Sequence, residues 1–499
     1  MGTTVHPPQT VTNLGCFPSD AHKITYIAVL AILVIRGWIM PLPSGFALDE
    51  TGTYYIISGS WAQYLDRMAL SIQSPLYTAL LWLVFHVFHL AGASEWALRL
   101  PSVLSMAVSA VFVFFIARRL IDASAGILAT LLFVSMPEVI RLACEARPYA
   151  TCIALALASV WFFLRWLEHR TALPGILCGF TLALTLYGHP LFGVLGLIYA
   201  VLLVQLCWKG DGPPLRQILL AAGVSACLTL PILPYYLNAA RQARVYSFAL
   251  TPGFGDLLLL NPYGGLVGAL LLAGAVTCLS GRSIRVVRFG THPLTMRLLL
   301  YWMVVPVLAL FIVAKLSPAK VFVPYYYSLY LPAVAIFFGL ICRNIDSAGS
   351  RLLIVSGAAL MMVLNAWSTT LWPSASHWSN WRKITETLKS QGYPPGTPVF
   401  VETGFIEANT LNRLTDPKYV AFILSPIYTY PVPGKVVALP YSADPRFESY
   451  MNDALDVVRP TENQFYVIGS TWPSWFQKRL GNAWKIETLP NTIVRFTHP

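Results

Sequence analysis

Long apolar runs broken by short polar loops set the rhythm of the first three-quarters of the chain. They lie near residues 24–43, 74–92, 97–117, 124–140, 148–167, 172–187, 190–208, 216–236, 256–280, 298–315, 324–342 and 351–371. Many reach the roughly 18 to 20 residues that carry a helix across a bilayer, and a helix satisfies its own backbone groups in lipid. The pattern predicts a polytopic α-helical membrane protein. Past residue 372 the texture becomes mixed and polar, and short runs appear: PVFVE, YVAFIL, KVVAL, FYVIGS and TIVRF. These read as strands, with helical stretches at 380–391 and 474–484, and predict a small α/β domain over 373–499 after a membrane module over 1–372.

Charge then assigns sides to the loops, because cytoplasmic loops carry an excess of Lys and Arg. If all the runs cross with Lys23 inside, the pairs Arg118/Arg119, Arg165/Arg170 and Lys209/Arg216 fall outside. So does the cluster Arg282, Arg285, Arg288 and Arg297. Laying the segment 74–92 along the outer face instead brings every one of these inside, together with Arg343 and Arg351. That segment opens with Ser-Pro and carries His86 and His89, so it is less uniformly apolar than its neighbours. The expectation is about eleven spans, a cytoplasmic N-terminus, one long outer loop over 41–96 and an extracytoplasmic C-terminal domain. The alternative is a full span at 74–92 with a second helix missed elsewhere.

Composition agrees: 56% of the 499 residues are hydrophobic and 11% charged, against roughly one-quarter charged in soluble domains. The net charge of +12 comes from basic residues scattered in ones and twos between apolar runs, which points to topology and away from nucleic acid. Cys16, Cys144, Cys152, Cys178, Cys207, Cys227, Cys278 and Cys342 lie mostly inside apolar runs at no metal or disulfide spacing, so they read as small buried hydrophobes. GFA at 45–47 offers a small-x-small cleavage site, but the polar stretch before the first run is long and Arg36 interrupts that run, so an uncleaved first helix is expected. The GLVGALLLAG stretch at 265–274 follows no strand and reads as helix packing rather than a nucleotide loop.

On this topology many polar residues share the outer face. The first loop supplies Asp49, Glu50, Tyr54, Asp66, Arg67 and Gln73, and Arg99 starts the next span. PEVIRLACEARPYA adds Glu138, Arg141, Glu145, Arg147 and Tyr149; beyond it come His189, Arg241, Arg244, Lys315 and Lys320. Each alone has a plainer reading: a solvated boundary for the acidic pair, snorkelling for the arginines, packing for His189. Their coincidence on one face suggests a site for an anionic substrate entering from the membrane.

The ordered set LDE, SPLYTALL, WALRLPSVLS, ARRL, GILATLLFVSMP and CEARPYA resembles the GT-C-fold glycosyltransferases that use lipid-phosphate sugars, closest to the family 39 type. That type includes protein O-mannosyltransferases and bacterial aminoarabinose transferases. The match spans about 30–170, extended weakly by LYGHPLFG, VPYYYSLYLPAVA and WRKITETL. The resemblance implies an inverting transfer from a polyprenyl-phosphate-sugar to a glycan, lipid or protein acceptor. It puts Asp49 in the place of the catalytic carboxylate, Glu50 in that of its acidic partner and Arg99 in that of an arginine holding the lipid phosphate. Arg147, Tyr149, Glu145, His189 and Lys320 complete the expected donor site.

The chain departs from the family in reading Gln73-Ser74-Pro75-Leu76 for His-Pro-Pro-Leu, and VPYYY where relatives often carry an Arg-Tyr pair. No metal is expected, with magnesium or manganese on Asp49, Glu50 and Glu145 as the alternative. A lipid-sugar flippase without chemistry is the rival function; inverted repeats and Gly/Pro-broken helices at the membrane midplane, which would favour it, are not evident. A bacterial inner membrane is the expected location.

Overall fold

The computed structural model describes residues 20–88, 94–241, 250–258, 293–318, 320–343, 381–456 and 463–498, with 357 and 360. Among them six helices are long and apolar enough to cross a membrane: Glu95–Leu120, Tyr149–His169, Pro190–Trp208, Leu215–Arg241, Pro293–Leu316 and Pro324–Cys342. Each coincides with an apolar run of the sequence. Runs 24–43 and 172–187 form the shorter apolar helices Ile24–Ile39 and Ala172–Gly188. Runs 256–280 and 351–371 lie almost wholly outside the described residues.

The run at 124–140 is not one straight helix. Ala123–Ser135 and Pro137–Ala143 meet at 69°. Met136 is extended (φ −62°, ψ 130°), because a residue preceding proline is pushed out of the helical region. Pro137 then starts the second helix at a position whose N–H needs no partner. The bend swings the chain toward Glu145 and Arg147.

The segment 74–92 forms the helix Pro75–Val87, whose 13 residues rise about 20 Å, short of the roughly 30 Å of a hydrocarbon core. Ser74 Oγ caps it by accepting from the Tyr77 N–H at 3.2 Å. With Leu48–Ile57 and Trp61–Met68 it makes up most of the loop between the first helix and Glu95–Leu120. Ile27, Leu104, Val111, Phe115, Val204, Leu219 and Ile312 stand exposed along the membrane helices. An outer surface this apolar requires lipid, and the chain is an integral membrane protein. Beneath it Val113, Ile116, Leu132, Ile153, Leu157, Phe163 and Ile336 belong to one core between the helices.

The C-terminal part is built on a five-stranded sheet of order β2-β1-β3-β5-β4. The strands are β1 (Pro398–Val401), β2 (Lys435–Ala438), β3 (Gln464–Ile468), β4 (Lys485–Leu489) and β5 (Ile493–Thr497). β1 runs parallel to β2 and β3, whereas β5 is antiparallel to β3 and β4. Two elements differ from the sequence expectation. YVAFIL falls in the helix Pro417–Ile423, because Asp416 Oδ1 accepts from the Lys418 N–H (2.9 Å) and Pro417 presets the first turn. The edge strand β4 was hidden by its exposed Lys485, Glu487 and Thr488.

This part packs directly on the first loop. Phe405 and Phe422 share a core with Phe46, Tyr54, Tyr55, Tyr77 and Leu98. At Gly52 a Cβ would come within 3.1 Å of the Phe405 ring and 3.3 Å of Phe422, so the helix Leu48–Ile57 approaches only because a side chain is missing there. Of the described cysteines, Cys144, Cys152, Cys178 and Cys342 are buried as expected, but Cys207 and Cys227 are exposed.

Candidate active site

The helix Leu48–Ile57 carries Asp49 and Glu50 in its first turn, where the N-terminal end of the helix dipole favours carboxylates. At about 100° per residue the two side chains leave the helix in different directions, and they meet different fates.

Glu50 is 1% exposed and its partner Arg99 0%. Arg99 Nε donates to Glu50 Oε1 (2.8 Å) and Nη2 to Oε2 (2.6 Å), a two-pronged contact. The carboxylate also accepts from the Ala47 N–H (2.8 Å) and the Ala146 N–H (2.7 Å). The remaining Arg99 donors reach the carbonyls of Leu42 (2.9 Å), Ser44 (2.7 Å) and Gly45 (3.1 Å). The guanidinium also lies 5.3 Å from the Phe46 ring centroid. Arg99, expected at the lipid phosphate, is here shut away from solvent with its donors spent on the 42–50 segment, which it braces. Glu50 is likewise saturated.

Asp49 is the open member of the pair. Its side chain is 57% exposed, and Oδ2 lies 3.2 Å from Arg147 Nη1. Arg147 Nη2 donates to the Tyr149 hydroxyl (3.3 Å), and the guanidinium sits 5.6 Å from the Tyr149 ring. The Arg147 carbonyl accepts from Ser102 Oγ (3.3 Å), which is paired in turn with the Tyr77 hydroxyl (2.7 Å). Tyr149 packs against His189 (5.6 Å) and Tyr325 (5.5 Å), and His189 against Tyr326 (4.9 Å). The result is a carboxylate and a guanidinium at the edge of an aromatic wall from two membrane helices, Tyr149–His169 and Pro324–Cys342, and the turn at His189. Burial, and then the positive charge of Arg147, lower the His189 imidazole to about 3, so it is neutral.

Glu145 pairs with Arg141 (3.0 Å), whose guanidinium lies 4.2 Å from the Tyr325 ring. Burial raises the Glu145 carboxyl, Arg141 opposes the rise, and Glu50 adds to it. Asp49, Glu50 and Glu145 are thus each claimed by a different arginine, an arrangement unlike the converging oxygens of a metal site. Among the described residues no group of three or more His, Cys, Asp or Glu side chains is disposed to hold a metal ion. Lys320 Nζ donates to the Ala314 carbonyl (3.2 Å), just ahead of the tyrosines that line the wall.

Sequence reasoning passed over Tyr325 and Tyr326, although the VPYYY departure marked the place. It also missed Glu407, 3% exposed and hydrogen-bonded to Ser71. Glu407 follows Phe405, which covers Gly52 one turn along from Asp49. Burial lifts its carboxyl to about 7, with Asp49 adding to the rise and Arg413 opposing it.

Residues 73–235 match the family described as dolichyl-phosphate-mannose-protein mannosyltransferase. Among solved structures the chain resembles ArnT from Cupriavidus metallidurans in the apo state, with a TM-score of 0.56, 12% identity, and coverage of 96% of this chain and 98% of that one. The same protein bound to undecaprenyl phosphate gives 0.56 at 14% identity, with coverage of 96% and 98%. The apo oligosaccharyltransferase of Archaeoglobus fulgidus gives 0.50 at 11% identity, with coverage of 91% of this chain and 70% of that one. No curated protein sequence matches the chain. At these identities the likeness is one of fold.

Proposed function

The chain has the GT-C glycosyltransferase fold, and on that premise we propose that it is a membrane-embedded inverting glycosyltransferase. It moves a hexose or pentose from a polyprenyl-phosphate-linked donor to an acceptor hydroxyl on the outer face of the membrane. The observation that carries this reading is the contrast between neighbours: Glu50 is buried and saturated, whereas Asp49 is exposed beside Arg147. A carboxylate with open lone pairs next to a cation is what a base and a phosphate clamp require. The undecaprenyl phosphate bound to ArnT supports the lipid class of the donor.

Asp49 takes the proton of the acceptor hydroxyl as its oxygen attacks the anomeric carbon. The bond from that carbon to the phosphate oxygen breaks, and the lipid phosphate leaves as a monoester with no acid needed at the leaving oxygen. Arg147 takes up the growing phosphate charge, with Tyr149, His189, Tyr326 and Lys320 shaping the donor side. Attack opposite the leaving phosphate inverts the anomeric centre. Glu145 keeps Arg141 against Tyr325, and Glu50 with Arg99 holds the base in place. The reading places the protein in a bacterial inner membrane, with a cytoplasmic N-terminus, a catalytic module over 1–372 and a periplasmic domain over 373–499.

The test uses purified protein in nanodiscs with radiolabelled polyprenyl-phosphate mannose, glucose, galactose and aminoarabinose, and a membrane extract as acceptor pool. Asp49→Asn is expected to lower turnover by about two to four orders of magnitude. Near-normal turnover in a folded variant would refute the assignment, and lipid-phosphate binding without transfer would favour the flippase.

A further inference from the structure

The base-bearing helix is fastened from a second direction that the transfer chemistry alone does not explain. Tyr430, in the C-terminal part of the chain, accepts a hydrogen bond from the Phe46 N–H (2.8 Å), three residues ahead of Asp49. Its own hydroxyl donates to Glu95 Oε1 (2.7 Å), at the start of the helix Glu95–Leu120. Arg382, also from the C-terminal part, pairs with the same Glu95 oxygen and donates through Nη1 to the Pro43 carbonyl (3.1 Å). The phenol is thereby used on both sides, one lone pair and one O–H, and Glu95, 8% exposed, is held between two donors.

These contacts complete a ring around the segment ahead of Asp49. Arg99 grips the carbonyls of Leu42, Ser44 and Gly45 from within the bundle. Arg382 and Tyr430 grip Pro43 and Phe46 from the other side. Glu50 closes the turn on the Ala47 N–H. Asp49 is the acidic residue of this turn whose side chain stays open to solvent. A C-terminal unit that only captured acceptors would have no need to hydrogen-bond this backbone.

We propose that the C-terminal part is a positioning component of the catalytic centre: Tyr430, fixed by Glu95 and Arg382, sets the backbone from which Asp49 reaches the acceptor. The inference rests on the reading of Asp49 as the base. Burial, with Glu95 adding to it, raises the Tyr430 hydroxyl well above its usual range, so it stays protonated and the donor role holds at all working pH.

The experiment compares full-length wild type, Tyr430→Phe, Asp49→Asn, the double variant and Lys418→Ala in nanodiscs, using whichever labelled polyprenyl-phosphate sugar the wild type turns over. Lys418 pairs with Asp66 across the same interface, exposed and away from the Phe46 contact, so its variant controls for general loosening. Hydrogen–deuterium exchange is followed over residues 43–50 and over the sheet. Tyr430→Phe is expected to lower kcat about 10- to 100-fold with KM for the donor within twofold. Exchange should quicken at 43–50 and stay unchanged in β1 and β3, and Lys418→Ala should keep wild-type kcat. The double variant should be no slower than Asp49→Asn, because a displaced base and an absent one fail at the same step.

Wild-type kcat in Tyr430→Phe, beside an inactive Asp49→Asn, would overturn the positioning role and leave the base assignment standing. An equal fall of kcat in Lys418→Ala would reduce the latch to ordinary interface stability and also overturn it. Full turnover by Asp49→Asn would remove the base itself, and the proposal with it.

Discussion

Asp49 and Glu50 are adjacent, acidic and of opposite consequence, and substituting each by its amide separates chemistry from architecture. In Glu50→Gln the buried Arg99 guanidinium loses its counter-charge, and the new amide turns N–H donors toward groups that are themselves donors, Arg99 and the Ala47 or Ala146 N–H. Breaking one side of a buried ion pair costs about 3–5 kcal/mol, because the surviving charge is left uncompensated. Asp49 is 57% exposed with one ion-pair contact at 3.2 Å, and pairs of that kind contribute about 0–1 kcal/mol. Both variants should lose transfer, but only Glu50→Gln should unfold early. The assay is thermal unfolding in one detergent, followed by tryptophan fluorescence and by the monodisperse fraction after heating. The expected order is wild type close to Asp49→Asn, with Glu50→Gln clearly lower. A Glu50→Gln protein that melts with the wild type yet transfers no sugar would refute the brace and return Glu50 to the chemistry.

Three further outcomes follow. Glu407 titrates near 7 in the folded protein against an ordinary 4.5, so the folded state alone holds its proton between those values and stability falls as pH rises from about 4.5 to about 7. Glu407→Gln should flatten that slope in melts at graded pH, and an unchanged slope would contradict the assignment. His189, lowered from 6.5 to about 3, stays neutral across pH 5–8, so His189→Asn should leave the shape of the pH–rate profile unaltered; loss of a limb near 6 would refute this. Chelation should leave turnover intact, whereas activity abolished by EDTA and restored by magnesium or manganese would require a cation among the carboxylates.

The membrane helices were legible because hydrophobic run length acts locally. The parity of basic loops set the 74–92 segment aside as non-spanning; it forms the 13-residue helix Pro75–Val87. The bend at Met136 was available in principle from Pro137. The bracing contacts of Arg99 were out of reach, because sequence shows a cation at a helix start but not the carbonyls of Leu42, Ser44 and Gly45 folded back upon it. Phe46 and Tyr430 lie 384 residues apart, so no spacing or period announces their contact. YVAFIL shows a different limit: its β-branched and aromatic content suits a strand, but the Asp416-Pro417 start decides for a helix.

The ring around residues 42–47 also bears on how such a molecule can be taken apart. A hybrid joined at residue 373, with the C-terminal part of another protein, would lose the donor to the Pro43 carbonyl and the acceptor for the Phe46 N–H unless Arg382 and Tyr430 travelled with it. Gly52 would meet whatever replaced Phe405 and Phe422 at van der Waals range. The exchangeable unit is therefore the C-terminal part together with residues 42–57 and Glu95, and replacing that part also resets the turn that carries Asp49.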